Sequence, residues 1–142
     1  MELDHEKLDV YRVSLDFAVW AYELCRDLKG SDRHARDQLL RASQSITLNI
    51  AEGCGKMPPA DRGRFLQIAS GSARECGAIL DILSRCGVLK TGALQTGKDL
   101  LVRIVAMLTR MIDRRNQVRK EGVVYGNVNE HVHGEDTDQP EA

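Results

Sequence analysis

The sequence has little of what base stacking, membrane insertion or secretion requires. Only six of its 142 residues are aromatic, whereas proteins that bind single-stranded bases usually stack them on several exposed rings. No uncharged apolar run reaches the roughly 18 residues of a membrane span, and the polar N-terminus lacks the pattern of a secretory signal. We therefore expect a cytoplasmic protein that neither enters a membrane nor carries a base-stacking sheet.

Closely spaced cysteine pairs are also missing. The four cysteines stand alone at Cys25, Cys54, Cys76 and Cys86. In a reducing compartment, isolated cysteines are most often small buried apolar side chains. We expect that role for all four, rather than disulfide bonds or metal ligation.

Basic residues are missing from the last part of the chain. Residues 1–120 carry all 20 Lys and Arg against 15 Asp and Glu, a net charge of +5, whereas residues 121–142 carry six acids and no base, a net charge of −6. The valines that follow Gly122 favour extended backbone, and the last residues are too polar to pack into a core. The sequence predicts a domain at 1–120 and an acidic tail at 121–142 that is extended or disordered.

Apolar residues recur every three or four positions in four segments, which is typical of amphipathic α-helices. Glycines and the Pro58-Pro59 pair separate these segments and stop helices. The fold class we predict is all-α, an antiparallel up-and-down four-helix bundle. Its helices are expected at 9–29, 32–53, 59–87 and 92–120.

The first segment carries two apolar stripes. One consists of Val10, Val13, Phe17, Trp20 and Leu24, and the other, about a quarter turn away, consists of Tyr11, Leu15, Ala18, Tyr22 and Cys25. So wide an apolar surface is more than a single neighbouring helix covers.

Polar residues of the second segment also share one face, namely Gln38, Arg41, Ser45, Asn49 and Glu52. Such a stripe is either a ligand site or a hydrogen-bonded seam between helices, and we favour the seam. Glu75 of the third segment is its expected partner, because a buried carboxylate there would need a cation such as Arg41.

We find no catalytic or metal-binding pattern and expect neither an active site nor a cofactor. Glu52 and Glu75 could form an acid/base pair or a di-metal site, but no Glu of the predicted helices is followed three residues later by His, as bundle di-iron sites require. His131 and His133 are expected to be surface residues of the tail. Catalysis by Glu52 or Glu75 is our least favoured hypothesis.

Basic residues gather in two places. The fourth segment carries Arg103, Arg110 and Arg114 on one stripe, extended by Arg115, Arg119 and Lys120, and the loop between the second and third segments is flanked by Lys56, Arg62 and Arg64. Such clusters bind phosphate backbones, although solvated faces and helix-dipole compensation produce them too.

Three stretches, at 8–12, 38–53 and 64–75, resemble a known bacterial family. They are similar to the four-helix-bundle proteins encoded in the intervening sequences of 23S rRNA genes, over roughly residues 8–112. Thr47 stands where the family pattern usually has Pro. The positions that match the family motif are Gln38, Arg41, Asn49, Glu52, Gly53 and Glu75, and the resemblance implies a role for them in fold and assembly.

The resemblance also implies a homopentamer, which would account for the wide apolar surface of the first helix. A related branch consists of accessory proteins of diversity-generating retroelements, in which a basic pentamer engages template RNA and the reverse transcriptase. RNA and a reverse transcriptase or another protein are therefore the partners it suggests.

Two hypotheses of function follow. The first is a non-enzymatic homo-oligomer that binds RNA through basic residues repeated on every copy. The second is a protein-interaction scaffold with little nucleic-acid binding of its own, in which the acidic tail docks on a partner or screens the basic face.

Overall fold

The computed structural model describes residues 3–55 and 58–126, which are almost entirely helical. The helices are α1 (Asp9–Cys25), α2 (Arg33–Gly53), α3 (Pro59–Arg85) and α4 (Thr91–Gly126). Short 3₁₀ turns precede α1 and α2, at Asp4–Lys7 and Gly30–Asp32. No strand occurs in this part of the chain, and the all-α fold class is confirmed.

Contacts between successive helices show that they alternate in direction, because partner numbers rise on one helix as they fall on the next. The contacts join Ser14 to Thr47 and Cys25 to Arg36 between α1 and α2, Arg41 to Glu75 and Ser45 to Ser72 between α2 and α3, and Gly77 to Leu101 and Asp81 to Lys98 between α3 and α4. It follows that α1 and α4 are also antiparallel.

Each helix buries one stripe of apolar side chains in a common core. In α2 this stripe consists of Leu39, Ser43, Ile46 and Ile50, all of which are buried. Full burial of one such aliphatic side chain stabilises the fold by about 1.5–3 kcal/mol. None of the helices in the described ranges has the length and hydropathy that crossing a bilayer requires.

A hydroxyl pair fixes α1 against α2 inside this core. The Thr47 hydroxyl donates to Ser14 Oγ at 3.0 Å, and Ser14 Oγ donates to the Tyr11 carbonyl at 2.6 Å. Ser14 is fully buried, so its polar atom needs these partners. Thr47, at the position where the resemblance implies proline, therefore supplies a side-chain contact that proline could not make.

The chain forms two compact units, residues 1–112 and 113–142. The second unit is described up to Gly126, and α4 continues through those residues. Residues 121–126 are thus helical, and the extended backbone predicted for them is wrong. Glycine destabilises a helix by only about 1 kcal/mol relative to Ala. This cost at Gly122 is too small to end α4. The tail prediction for residues 127–142 lies outside the described residues.

The cysteines differ in their surroundings. Burial raises the pKa of the Cys76 thiol to about 12 and that of Cys25 to about 11, so both are protonated apolar side chains at neutral pH. Cys54 is half-buried, whereas Cys86 is exposed just after the last turn of α3. The expected burial is therefore confirmed for Cys25 and Cys76 and wrong for Cys86.

We expect Gly97→Ala to destabilise the protein, because α4 approaches α1 and α3 closely at this residue. An ideal Cβ on Gly97 would lie 2.5 Å from Trp20 Cη2 and 2.9 Å from Leu80 Cδ1. Overpacking of this kind costs about 1–3 kcal/mol, measurable by urea unfolding. Gly71→Ala is the matched control, since its Cβ would enter open space and should stabilise α3 by up to about 1 kcal/mol. Equal effects of the two substitutions would contradict the close approach.

Candidate interaction surfaces

Helix α1 presents an apolar face that the bundle leaves uncovered. Leu15, Val19 and Tyr22 lie on one side of the helix and are 41%, 59% and 43% exposed. The Tyr22 hydroxyl accepts a hydrogen bond from the Gln44 amide of α2, which holds the ring over the junction of the two helices. We call these three residues the α1 apolar face. The surplus apolar surface expected from the sequence is therefore present.

The polar stripe of α2 forms a hydrogen-bonded seam with α3. Ser45 Oγ and Ser72 Oγ lie 2.8 Å apart, and Asn49 Nδ2 donates to the Ser45 carbonyl at 2.8 Å and to Ser45 Oγ at 3.1 Å. At the end of α2, an ideal Cβ on Gly53 would lie 3.1 Å from Leu66 Cδ2, so glycine lets α2 approach α3. The Ser45–Ser72 hydrogen bond and the close approach at Gly53 join α2 to α3, and Asn49 holds Ser45 from within α2, in agreement with the seam interpretation.

The ion pair at the edge of this seam is exposed. Arg41 Nη2 lies 3.9 Å from Glu75 Oε2, and the two side chains are 75% and 47% exposed. The predicted pairing is present, but the predicted burial of Glu75 is wrong, because both helices turn these residues outward. Glu52 is exposed as well, and Gln38 is half-buried.

Apolar side chains flank that ion pair on the same side of the bundle. Ile68 and Ile82 stand seven residues before and after Glu75 on α3, and Leu48 stands seven residues after Arg41 on α2. They are 44%, 59% and 62% exposed. We call Leu48, Ile68 and Ile82 the α2–α3 apolar face. Seven residues are two helical turns, so each helix presents its members on one stripe.

An open groove of about 550 Å³ runs between α1 and α4. Its charged lining residues are Asp9, Arg12 and Asp16 from α1 and Arg103 and Arg110 from α4, and its apolar lining residues are Val13, Val102, Ala106 and Met107. The ion pairs of the described residues do not involve any of these charged groups. Arg103 and Arg110 of the predicted arginine stripe thus share the groove with two aspartates, Asp9 and Asp16, as well as with Arg12, and the aspartates repel a phosphate placed between the helices.

The other predicted basic residues have varied surroundings. Arg64 is exposed, with its guanidinium carbon 5.4 Å from the centre of the Phe65 ring, and Arg62 is half-buried and engaged in an interaction. Arg114 is exposed on α4. Lys56 lies outside the described residues, as do the side chains of Arg115, Arg119 and Lys120, whose backbone is helical.

The sequence model of one family, described as 23S rRNA-intervening sequence protein, matches residues 6–110. The chain belongs to that family. The match covers α1 to α3 and the first part of α4, all within the first compact unit, and the resemblance seen in the sequence is confirmed. No curated protein is similar enough to the chain to count as a match.

In this 23S rRNA-intervening sequence protein, sequence reasoning missed the α1 side of the groove. Asp9, Arg12 and Asp16 had no assigned role, although Asp9 and Asp16 share the seven-residue spacing of Arg103 and Arg110. This equal spacing is the feature of the sequence that indicates a match between α1 and α4. Within residues 3–55 and 58–126, no three His, Cys, Asp or Glu side chains are grouped to hold a metal ion.

Glu75→Gln should change the free energy of unfolding by less than about 0.5 kcal/mol, because exposed ion pairs contribute little. Ser72→Ala should cost about 1 kcal/mol, since it removes the hydrogen bond across the seam. Thermal or urea unfolding of both variants makes the comparison. If Glu75→Gln lowered the free energy of unfolding by several kcal/mol, the Arg41–Glu75 pair would be buried in solution, which would contradict the structure.

Proposed function

We propose that the protein is a non-enzymatic assembly module whose copies associate and bind RNA as an oligomer. The observation that carries this proposal is the pair of unlike apolar faces on the first unit, the α1 apolar face and the α2–α3 apolar face. Contact between unlike faces of successive copies is heterologous, and such contacts close into a ring when the rotation allows it. Five copies are the number that the family resemblance implies.

The exposed side chains favour burial between copies over an isolated bundle. Of the eight large apolar residues in the described ranges that are more than two-fifths exposed, six lie on these two faces, and exposed apolar patches typically mark interaction sites. The α2–α3 apolar face also carries Arg41 and Glu75, whose weak mutual contact leaves them available to a neighbouring copy. Charges at the rim of an interface set its register more than its affinity.

The RNA contact is assigned to the part of α4 that begins at Arg114. Residues 114–120 contain Arg114, Arg115, Arg119 and Lys120 and no acid, whereas Arg103 and Arg110 share their groove with two aspartates. Phosphate neutralisation supplies most non-specific RNA affinity, and an oligomer repeats the basic residues on every copy. This arrangement requires no catalytic group, and Glu52 and Glu75 lie at the exposed edge of the seam.

Val19→Asp and Leu48→Asp should each dissociate the assembly, because each places a charge in one of the two apolar faces. Both positions are more than half exposed, so the bundle itself should keep its stability. Sedimentation equilibrium of the wild type should give a multiple of 15.8 kDa, and the two variants should approach that mass. Val88→Asp, in the α3–α4 loop, is the control. A wild-type monomer at micromolar concentration would refute the assembly.

Arg114→Ala/Arg115→Ala should weaken binding of a labelled RNA hairpin and flatten its salt dependence. If three phosphates are neutralised, wild-type affinity should fall roughly 40-fold between about 50 and 200 mM salt. Removal of residues 127–142, which carry five acids and no Lys or Arg, should tighten binding by reducing repulsion. The exposed Arg74, replaced by Ala, is the control. An assembly that forms but binds no RNA would instead favour a scaffold for a protein such as a reverse transcriptase.

A further inference from the structure

The walls of the α1–α4 groove carry opposite charges at equal spacing. Asp9 and Asp16 lie on α1, and Arg103 and Arg110 lie on α4. Each pair is separated by seven residues, which is about 10.5 Å along a helix. Because the two helices are antiparallel, Asp16 lies toward the Arg103 end of the groove and Asp9 toward the Arg110 end. Asp9 and Asp16, which we call the acidic wall, therefore match Arg103 and Arg110, the basic wall, both in spacing and in position along the groove.

The strip between these charges is apolar and open. Val102 is 66% exposed, more than the other exposed large apolar side chains of the described chain, and it lies beside Ala106 and the half-buried Met107. The four wall residues are exposed, and the described ion pairs leave them out. An apolar strip flanked by unpaired charges at heptad spacing is the composition of a helix–helix interface with one side missing.

We infer that the groove is a docking surface for a second copy of this chain, related by a two-fold axis that runs along the groove. Rotation about this axis places α1 of each copy against α4 of the other copy. It leaves the position of every residue along the groove unchanged. Asp16 then meets the second copy's Arg103, and Asp9 meets its Arg110. A two-fold axis across the groove would instead set aspartate against aspartate, so the charges select a single arrangement.

Self-complementarity is what identifies the occupant as another copy. A surface that carries both an acidic and a basic wall of equal length is matched by itself after a two-fold rotation, which is the defining property of an isologous interface. A nucleic acid would meet Asp9 and Asp16 as like charges. The contact adds to the self-association proposed above but uses neither of its two apolar faces, so the two can be tested separately.

Arg12 gives the inference a gain-of-binding test. It stands on α1 between Asp9 and Asp16 and is exposed in the groove, where it opposes the basic wall of a second copy. Arg12→Glu removes this like charge and extends the acidic wall. The substitution should therefore tighten the two-fold contact several-fold, an effect that damage to the fold would not produce.

The decisive experiment exchanges charges at Asp16 and Arg103 in the full chain and measures association by sedimentation velocity. Asp16→Arg and Arg103→Asp should each weaken the two-fold contact on the order of 100-fold, because each sets like charges face to face twice. An equimolar mixture of the two variants should restore association, since positions 16 and 103 then carry opposite charges at both contacts of a mixed pair. Arg74→Asp, with the same change in charge on α3, should have no effect.

The mixture distinguishes contacts between copies from contacts within one copy. Recovery in the double variant Asp16→Arg/Arg103→Asp without recovery in the mixture would show that the walls pair only within a chain, and would overturn the inference. So would single variants that associate like the wild type. If those variants keep an assembly that Val19→Asp dissociates, the proposed function stands and the groove contact fails; the converse result retains only the groove contact.

Discussion

Burial of one apolar stripe from each helix is the constraint on which the rest of the structure depends. Phe17, Ile46, Leu80 and Ile104, one from each helix, are completely withdrawn from solvent, and their burial fixes the rotation of each helix about its own axis. Once that rotation is set, it determines which side of the bundle every other residue of the helix faces. The α1 apolar face, the seam and the groove are consequences of the same packing, since none of them could change sides without exposing core residues.

Small residues then determine how near the helices lie. Gly97 admits Trp20 and Leu80 against α4, and Gly53 admits Leu66 against α2. Close approach draws the helix surfaces together, so polar side chains such as Ser45 and Ser72 reach each other directly. Apolar packing alone allows several registers of two helices. The hydrogen bonds of the seam form in only one register, so they fix the position of α2 along α3.

The sequence was sufficient for the helices and their buried faces, because periodicity is a property of one segment at a time. The two stripes of α1 and the seam at Ser45 and Asn49 could be read in this way. Exposure of the Arg41–Glu75 pair could not, since it depends on the angle at which α2 meets α3. The groove could not be predicted for a similar reason: Asp16 and Arg103 are far apart along the chain, and only the packing of α1 beside α4 places them in one groove. The helical residues 121–126 show that local preference for extended backbone yields when a long helix already precedes it.

The distribution of charge distinguishes two parts of α4. A phosphate gains from arginine only where no carboxylate competes, because repulsion from an acid at similar distance cancels the attraction. Arg103 and Arg110 have such competitors across the groove, whereas residues 114–120 contain no acid between Asp113 and Glu121. Charges of both signs on facing helices favour a protein surface of matching pattern, and a stretch of one sign favours a polyanion. The two basic stretches of α4 therefore have different electrostatic surroundings, and what distinguishes them is the acidic side of α1.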